Sequence, residues 1–217
     1  MTVELFAHPF SSYCQKVLIA LYENDVPFTY RMLEDAGVSD ELAALWPMKR
    51  FPIVREHGRV VLEASIIIEY LQIHHAGPVR LIPDDPDLAL EVRMLDRFFD
   101  NYVMTPQGKF VFDALRPPEH RDPYGVGEAR KMLETSYAWL DSRMASRTWA
   151  AGESFTLADC AAAPALFYAD WTHTIPPRFE NLRGYRDRLL GRPSFARAVD
   201  EARRFRHYFP LGAPDRD

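Results

Sequence analysis

Three short stretches of the chain carry residue types that could do chemistry together. Ser11-Ser12-Tyr13-Cys14 falls between an apolar run, Val3 to Phe6, and a helical pattern that begins at Cys14. Hydroxyls at that junction lie beside backbone amides with no intrahelical partner and at the positive end of the helix dipole, a place suited to an anion. Phe51-Pro52 leads into a strand pattern, and a proline there often belongs to a tight, sometimes cis, turn whose preceding backbone is free to bond a ligand. Glu63-Ala64-Ser65 opens a further helix with a carboxylate, a hydroxyl and bare amides side by side. Each stretch also has a plainer role: Ser11 or Ser12 as a helix cap, Phe51-Pro52 as an edge-strand start, Glu63 as a favourable charge at a helix N-terminus.

Composition narrows the field. The 217 residues hold 26 Lys+Arg against 31 Asp+Glu, a formal charge of −5, which argues against nucleic acid as a partner because such binding draws on Lys and Arg neutralising phosphates. Hydrophobic residues make up 47%, enough for a real core. The two cysteines, Cys14 and Cys160, supply neither a disulfide framework nor a zinc-type pair, and His8, His57, His74 and His75 show no ligand spacing, so no metal is expected. No apolar run approaches the roughly 18 residues of a membrane helix, and Met1 to Phe6 lacks the basic start and long apolar core of a signal peptide. A soluble, cytoplasmic protein with no membrane partner is expected.

The elements that must position these residues follow from periodicity. Val3 to Phe6 reads as a strand, and Cys14, Val17, Leu18, Leu21 and Tyr22 mark one face of a helix. Phe28 to Met32 reads as a strand, Asp40 to Leu45 as a short helix, Ile53–Arg55 and Val60–Leu62 as a hairpin around His57-Gly58, and Ser65 to His74 as a closing helix. This order implies a small mixed sheet with helices on its faces. Pro78, Pro83 and Pro86, with Asp84 and Asp85, mark a linker, beyond which strand signals nearly vanish. Leu88, Val92, Leu95, Phe99 and Tyr102, with Met94 and Phe98 alongside, predict a long helix kinked or ended near Pro106. Its apolar stripe suits either an internal core or a dimer face. A loop is expected over Arg116 to Gly127, then helices at about Glu128–Ala145, Leu157–Ala169, Leu182–Leu190 and Ser194–Arg204. Thr156 and Asp159 form a capping box ahead of the second of these, with Phe155 placed to staple onto Cys160. The domains read as 1–76, a linker 77–87, and 88–217.

Taken together, the chain resembles the soluble glutathione S-transferase superfamily, in a serine-type, bacterial-like form with some zeta-like features. The matching pieces are Ser11-Ser12-Tyr13-Cys14-Gln15-Lys16-Val17, Trp46-Pro47-Met48-Lys49-Arg50-Phe51-Pro52, Glu63-Ala64-Ser65 through Leu71, Phe155-Thr156-Leu157-Ala158-Asp159, and Arg192-Pro193-Ser194-Phe195. The resemblance implies an α/β thioredoxin-like N-terminal domain plus an all-α C-terminal helical domain, a homodimer, and glutathione as cosubstrate beside a pocket for a small hydrophobic electrophile. The implied activity is alkyl or aryl transfer to glutathione, as in detoxification.

Carried over by position, Ser11 (or Ser12) meets the glutathione sulfur. A free thiol with a pKa near 8.5 is only about 3% ionised at pH 7, whereas lowering it by two units makes about three quarters thiolate. A hydroxyl donor and a helix dipole supply part of such a shift without acting as a base. Arg50 is placed at the glycyl carboxylate, Phe51 and Pro52 at the cysteinyl unit, and Glu63 at the γ-glutamyl ammonium. The family normally has Ser after this Glu for the γ-glutamyl carboxylate; this chain has Ala64, leaving the Ala64 amide and the Ser65 hydroxyl as substitutes. Losing one hydrogen bond to a charged group costs about 1.5 to 3 kcal/mol of binding. Cys14 occupies the second-cysteine position of a thioredoxin-like pair that lacks its first, and its place on the apolar helix face marks it as a packed core thiol. Phe10, Tyr13, Tyr102, Met104 and Tyr168 are candidate walls of the electrophile pocket. Two other functions remain open: a zeta-like maleylacetoacetate isomerase, suggested by Ser11-Ser12 and Pro47-Met48-Lys49 though Tyr13-Cys14 and Trp46 depart from that pattern, and a non-catalytic binding protein on the same fold.

Overall fold

The computed structural model describes residues 2–217. In strand β1 (Val3–Ala7) the alternation of side chains puts Val3, Leu5 and Ala7 into the main core and Phe6 into a smaller cluster on the opposite face. Strand β1 pairs in parallel with β2 (Phe28–Met32) and antiparallel with β3 (Ile53–Glu56), which pairs antiparallel with β4 (Arg59–Leu62), giving the order β2-β1-β3-β4. Between β3 and β4, His57 and Gly58 take φ of 50° and 78°, the two left-handed residues that a two-residue hairpin needs. Helices α1 (Ser12–Glu23) and α3 (Ala64–His74) contribute to the main core, while α2 (Val38–Leu45) covers Phe6 and Ile53 with Val38 and Leu42.

After β4 the named elements are helical: α4 (Pro86–Phe98), a π-helical segment (Phe99–Met104), α5 (Thr105–Ala114), α6 (Pro123–Met144), α7 (Leu157–Thr172), α8 (Glu180–Leu190) and α9 (Pro193–Ala202). The thioredoxin-like α/β part followed by an all-α part is the expected fold class. Helix α7 is buried along nearly its whole length and packs against both α1 and α4. Its capping box is formed, and Asp159 within it accepts from the Thr156 amide at 2.9 Å, the Ala150 amide at 2.8 Å and the Tyr185 hydroxyl at 2.6 Å.

One expectation changes, and two alternatives left open by the sequence are decided. The loop over Arg116 to Gly127 is shorter, because α6 starts at Pro123: Asp122 caps it by accepting from the Gly125 amide at 2.8 Å, and proline at the first helical position lacks only an N–H that would have been unpaired anyway. Pro106 does not end the long helix. The carbonyl four residues before it, that of Tyr102, loses its helical donor, and the Ser136 hydroxyl replaces that donor at 2.9 Å while the chain widens into a π turn just upstream. The stripe of Val92, Leu95 and Phe99 is fully buried within the chain, so it is internal core; the exposed apolar residues of this region are Leu90, Met94 and Tyr102, with Trp139 of α6.

Helix α1 is held at both ends. Near its N-terminus Lys16, 1% exposed, places Nζ 2.5 Å from Asp96 Oδ1 and 3.0 Å from Asp100 Oδ2, joining the first domain to α4 and the π segment. At its C-terminus Glu23 accepts from Arg192 Nε at 2.8 Å and from the Ser194 hydroxyl, and Tyr22 donates to Glu201 at 2.6 Å. Removing one partner of a buried ion pair strands the other charge. Lys16→Met is therefore expected to lower the unfolding free energy by about 3–5 kcal/mol in urea titrations; a loss below about 1 kcal/mol would show that Asp96 and Asp100 are adequately solvated or paired without Lys16.

Candidate functional site

Strand β1 delivers the chain into the turn His8–Phe10, and Ser11 then caps α1 with φ −88° and ψ 125°. The Ser11 hydroxyl oxygen accepts from the Cys14 amide at 3.4 Å, and the Ser11 carbonyl accepts from Gln15 at 2.9 Å. This leaves the hydroxyl proton unspent, and among the described residues the amides of Ser12 and Tyr13 have no partner. The turn is braced from behind: buried Gln15 donates to the Pro9 carbonyl at 2.9 Å and to the Tyr168 hydroxyl at 3.2 Å, and that hydroxyl donates to the Phe10 carbonyl at 3.1 Å.

These groups open onto a cavity of about 1050 Å³ between the two domains. Ser11, Ser12, Arg50, Phe51, Pro52, Glu63 and Ala64 all line it. The Phe51-Pro52 peptide is cis. Lys49 and Arg50, from the segment joining α2 to β3, form no ion pair among the described residues, so both cations are available to an anion. Glu63 sits at the N-cap of α3 with φ 68° and ψ 122° and an exposed side chain with no hydrogen-bond partner among the described residues. A non-glycine residue held in that region costs of order 1–3 kcal/mol, and such conformations gather at ligand sites. Phe10, Met104, Val111, Phe112, Tyr168 and Phe209 supply apolar wall.

Two expected residues lie elsewhere. Tyr102 is not part of the cavity; it is exposed on the outer side of the helix, its ring 5.4 Å from that of Phe98. Ser65 is likewise absent from the lining, because its hydroxyl donates to Asp96 Oδ2 at 2.7 Å and accepts from Lys16 Nζ at 3.0 Å and from Arg97. The residues missed by sequence reasoning are those of this cluster, Lys16, Asp96, Arg97 and Asp100. Their signal was present: a lysine inside the apolar pattern of α1, and two aspartates four apart on the buried side of the next long helix.

Burial sets the protonation of two neighbouring groups. It pushes the Tyr13 phenol up to about 12, with the Asp100 carboxylate adding to the rise, so the phenol stays neutral. It pushes the Cys14 thiol up to about 12, against weaker opposing hydrogen bonds from Ser11 and His8. Cys14 and Cys160 are both completely buried and unpaired, so the chain's own thiols are not nucleophiles.

The residues 5–79 match the family model for the glutathione S-transferase N-terminal domain, and 112–188 match that for the C-terminal domain. Over 206 residues the chain is 26% identical to glutathione S-transferase GstB of Escherichia coli K12, covering 91% of this chain and 97% of that one. It is 28% identical over 209 residues to FtsZ-localized protein A of Caulobacter vibrioides, covering 90% of each. Among solved structures, a glutathione S-transferase of Methylobacterium radiotolerans in complex with glutathione sulfonate superposes with a TM-score of 0.78 at 28% identity, covering 92% of this chain and 95% of that one.

In the native protein neither cysteine is expected to react with an aromatic disulfide reagent between pH 7 and 9, while both react once the chain is unfolded in guanidinium. Rapid modification of one thiol in the folded state would contradict the buried, protonated assignment.

Proposed function

The chain belongs to the soluble glutathione S-transferase superfamily, and we propose that it is a glutathione-dependent transferase that ionises the glutathione thiol at the N-terminus of α1. The observation that carries this reading is the Ser11 hydroxyl: its oxygen is engaged in capping and its proton is free beside the cavity. In this reading Ser11 donates to the sulfur, with Ser12 as the neighbouring alternative, and the unpaired amides of α1 add the field of the helix end. The thiol proton leaves to solvent, and the thiolate attacks an electrophilic carbon, forming the S–C bond as the leaving group departs with its electron pair. Where the electrophile is a conjugate acceptor, the new carbanion takes a proton from solvent. Holding both reactants in one cavity supplies proximity.

Arg50 serves the glycyl carboxylate, the Phe51 backbone ahead of Pro52 the cysteinyl unit, Glu63 the γ-glutamyl ammonium, and the Ala64 amide part of the γ-glutamyl carboxylate. Domain limits of 1–76 and 88–217 around a linker fit this division of labour. No described helix is long and apolar enough to cross a membrane, in keeping with a cytoplasmic enzyme. The exposed Leu90, Met94, Tyr102 and Trp139 favour a homodimer, and sedimentation at micromolar concentration is expected to give twice the monomer mass.

Ala64 supports a second reading, a binding or interaction protein with the glutathione S-transferase fold and no catalysis, because it removes a ligand hydroxyl. Kinetics with a panel of hydrophobic electrophiles separates the two. Ser11→Ala is expected to lower kcat/KM by about 10- to 100-fold, the worth of one hydrogen bond to a charged group. Ser11→Thr, which keeps hydroxyl and cap, should retain most activity. Glutathione binding with no turnover of any electrophile, including maleylacetoacetate, would favour the binding protein.

A further inference from the structure

At the N-terminus of α3 the position that carries a carboxylate-binding hydroxyl in the resemblance is Ala64, and the next hydroxyl, Ser65, is turned away into the Lys16 cluster. What reaches the same place from the second domain is Arg97 of α4. Its guanidinium is oriented by three acceptors: Nε donates to Asp96 Oδ2 at 3.1 Å, and Nη2 donates to Asp96 Oδ2 and Asp100 Oδ2, each at 2.7 Å, and to the Ser65 hydroxyl. These bonds use Nε and one terminal nitrogen. Nη1, with two hydrogens, has no hydrogen-bond partner among the described residues, and the side chain is 53% exposed and lines the cavity with Glu63 and Ala64.

The charges allow an anion there. Lys16 and Arg97 together match Asp96 and Asp100, so an arriving carboxylate meets a balanced cluster and one vacant arm of a cation. Glu63, which lines the cavity together with Tyr13, Arg97 and Asp100, supplies the complementary negative charge for an ammonium. An α-amino acid head group carries this pair of charges on two substituents of one carbon. A guanidinium already immobilised by carboxylates loses little freedom when it binds, and its rigid fork suits a planar carboxylate.

We propose that Arg97 is a specificity-determining residue whose Nη1 binds the α-carboxylate of the γ-glutamyl group, in place of the hydroxyl that Ala64 lacks. This rests on the reading that glutathione is the cosubstrate. It makes the site selective for thiols bearing a free α-ammonium carboxylate, with the anion held from the helical domain and the cation held from the thioredoxin-like domain.

The test is isothermal titration of the full chain with glutathione and with its decarboxylated analogue, 4-aminobutanoyl-cysteinyl-glycine, which keeps the ammonium and loses the carboxylate. Wild-type protein is expected to prefer glutathione by about 10- to 100-fold. Arg97→Gln should weaken glutathione, leave the analogue nearly unchanged and collapse the preference to within about threefold, and adding Ala64→Ser should restore part of it. If Arg97→Gln does not fold, Arg97→Lys keeps the charge facing Asp96 and Asp100 but has no second nitrogen to turn to the cavity, and the same collapse is expected. A preference that survives either folded variant overturns the assignment of Arg97 and leaves the transferase reading standing. Wild-type protein that binds neither ligand overturns both.

Discussion

Helix α1 has its side chains buried from Cys14 through Leu21, and one of them is the ammonium of Lys16. A charge in that position must be met by carboxylates, and they come from the other domain, Asp96 on α4 and Asp100 on the π segment. Much of the arrangement around the cavity follows from this pairing. It holds the helical domain against α1, draws the Ser65 hydroxyl inward, and orients Arg97 along the cavity wall. Burial raises the Asp100 carboxyl, and the Lys16 ammonium is the chief force opposing that rise.

Anchoring α1 also determines what its free end can do. With the C-terminal end tied to Arg192 and Ser194 and the turn before it braced by Gln15 and Tyr168, the amides of Ser12 and Tyr13 and the Ser11 hydroxyl occupy fixed positions at the cavity. A preorganised set of donors stabilises developing or resident negative charge without reorganising at the moment of reaction. The cavity joins this polar edge to an apolar wall contributed by α5, α7 and the C-terminal residues, the division of surface that a charged nucleophile and a hydrophobic partner require.

The local parts of this architecture were legible in the sequence. The short apolar run of β1, the His57-Gly58 turn, the α1 periodicity and the Thr156–Asp159 box each depend on residues within a few positions of one another, and each stands as read. What escaped depends on distant partners. Pro106 continues a helix because Ser136, thirty positions on, satisfies the carbonyl it frees. Ser65 is lost to the cavity because Lys16 and Asp96 claim it, and Tyr102 faces outward because the π turn shifts the phase of the helix. Periodicity marked Val92, Leu95 and Phe99 as apolar but is silent on whether their cover is α7 or another chain.

The proposed chemistry depends on a thiolate held at the free end of α1, which an ultraviolet thiolate titration of glutathione bound to the protein, repeated with Ser11→Ala, reads directly. Ionisation is expected about two pH units below that of free glutathione, with a substantial part of the shift lost in the variant. A bound thiol that titrates at its free value in wild-type protein would contradict it.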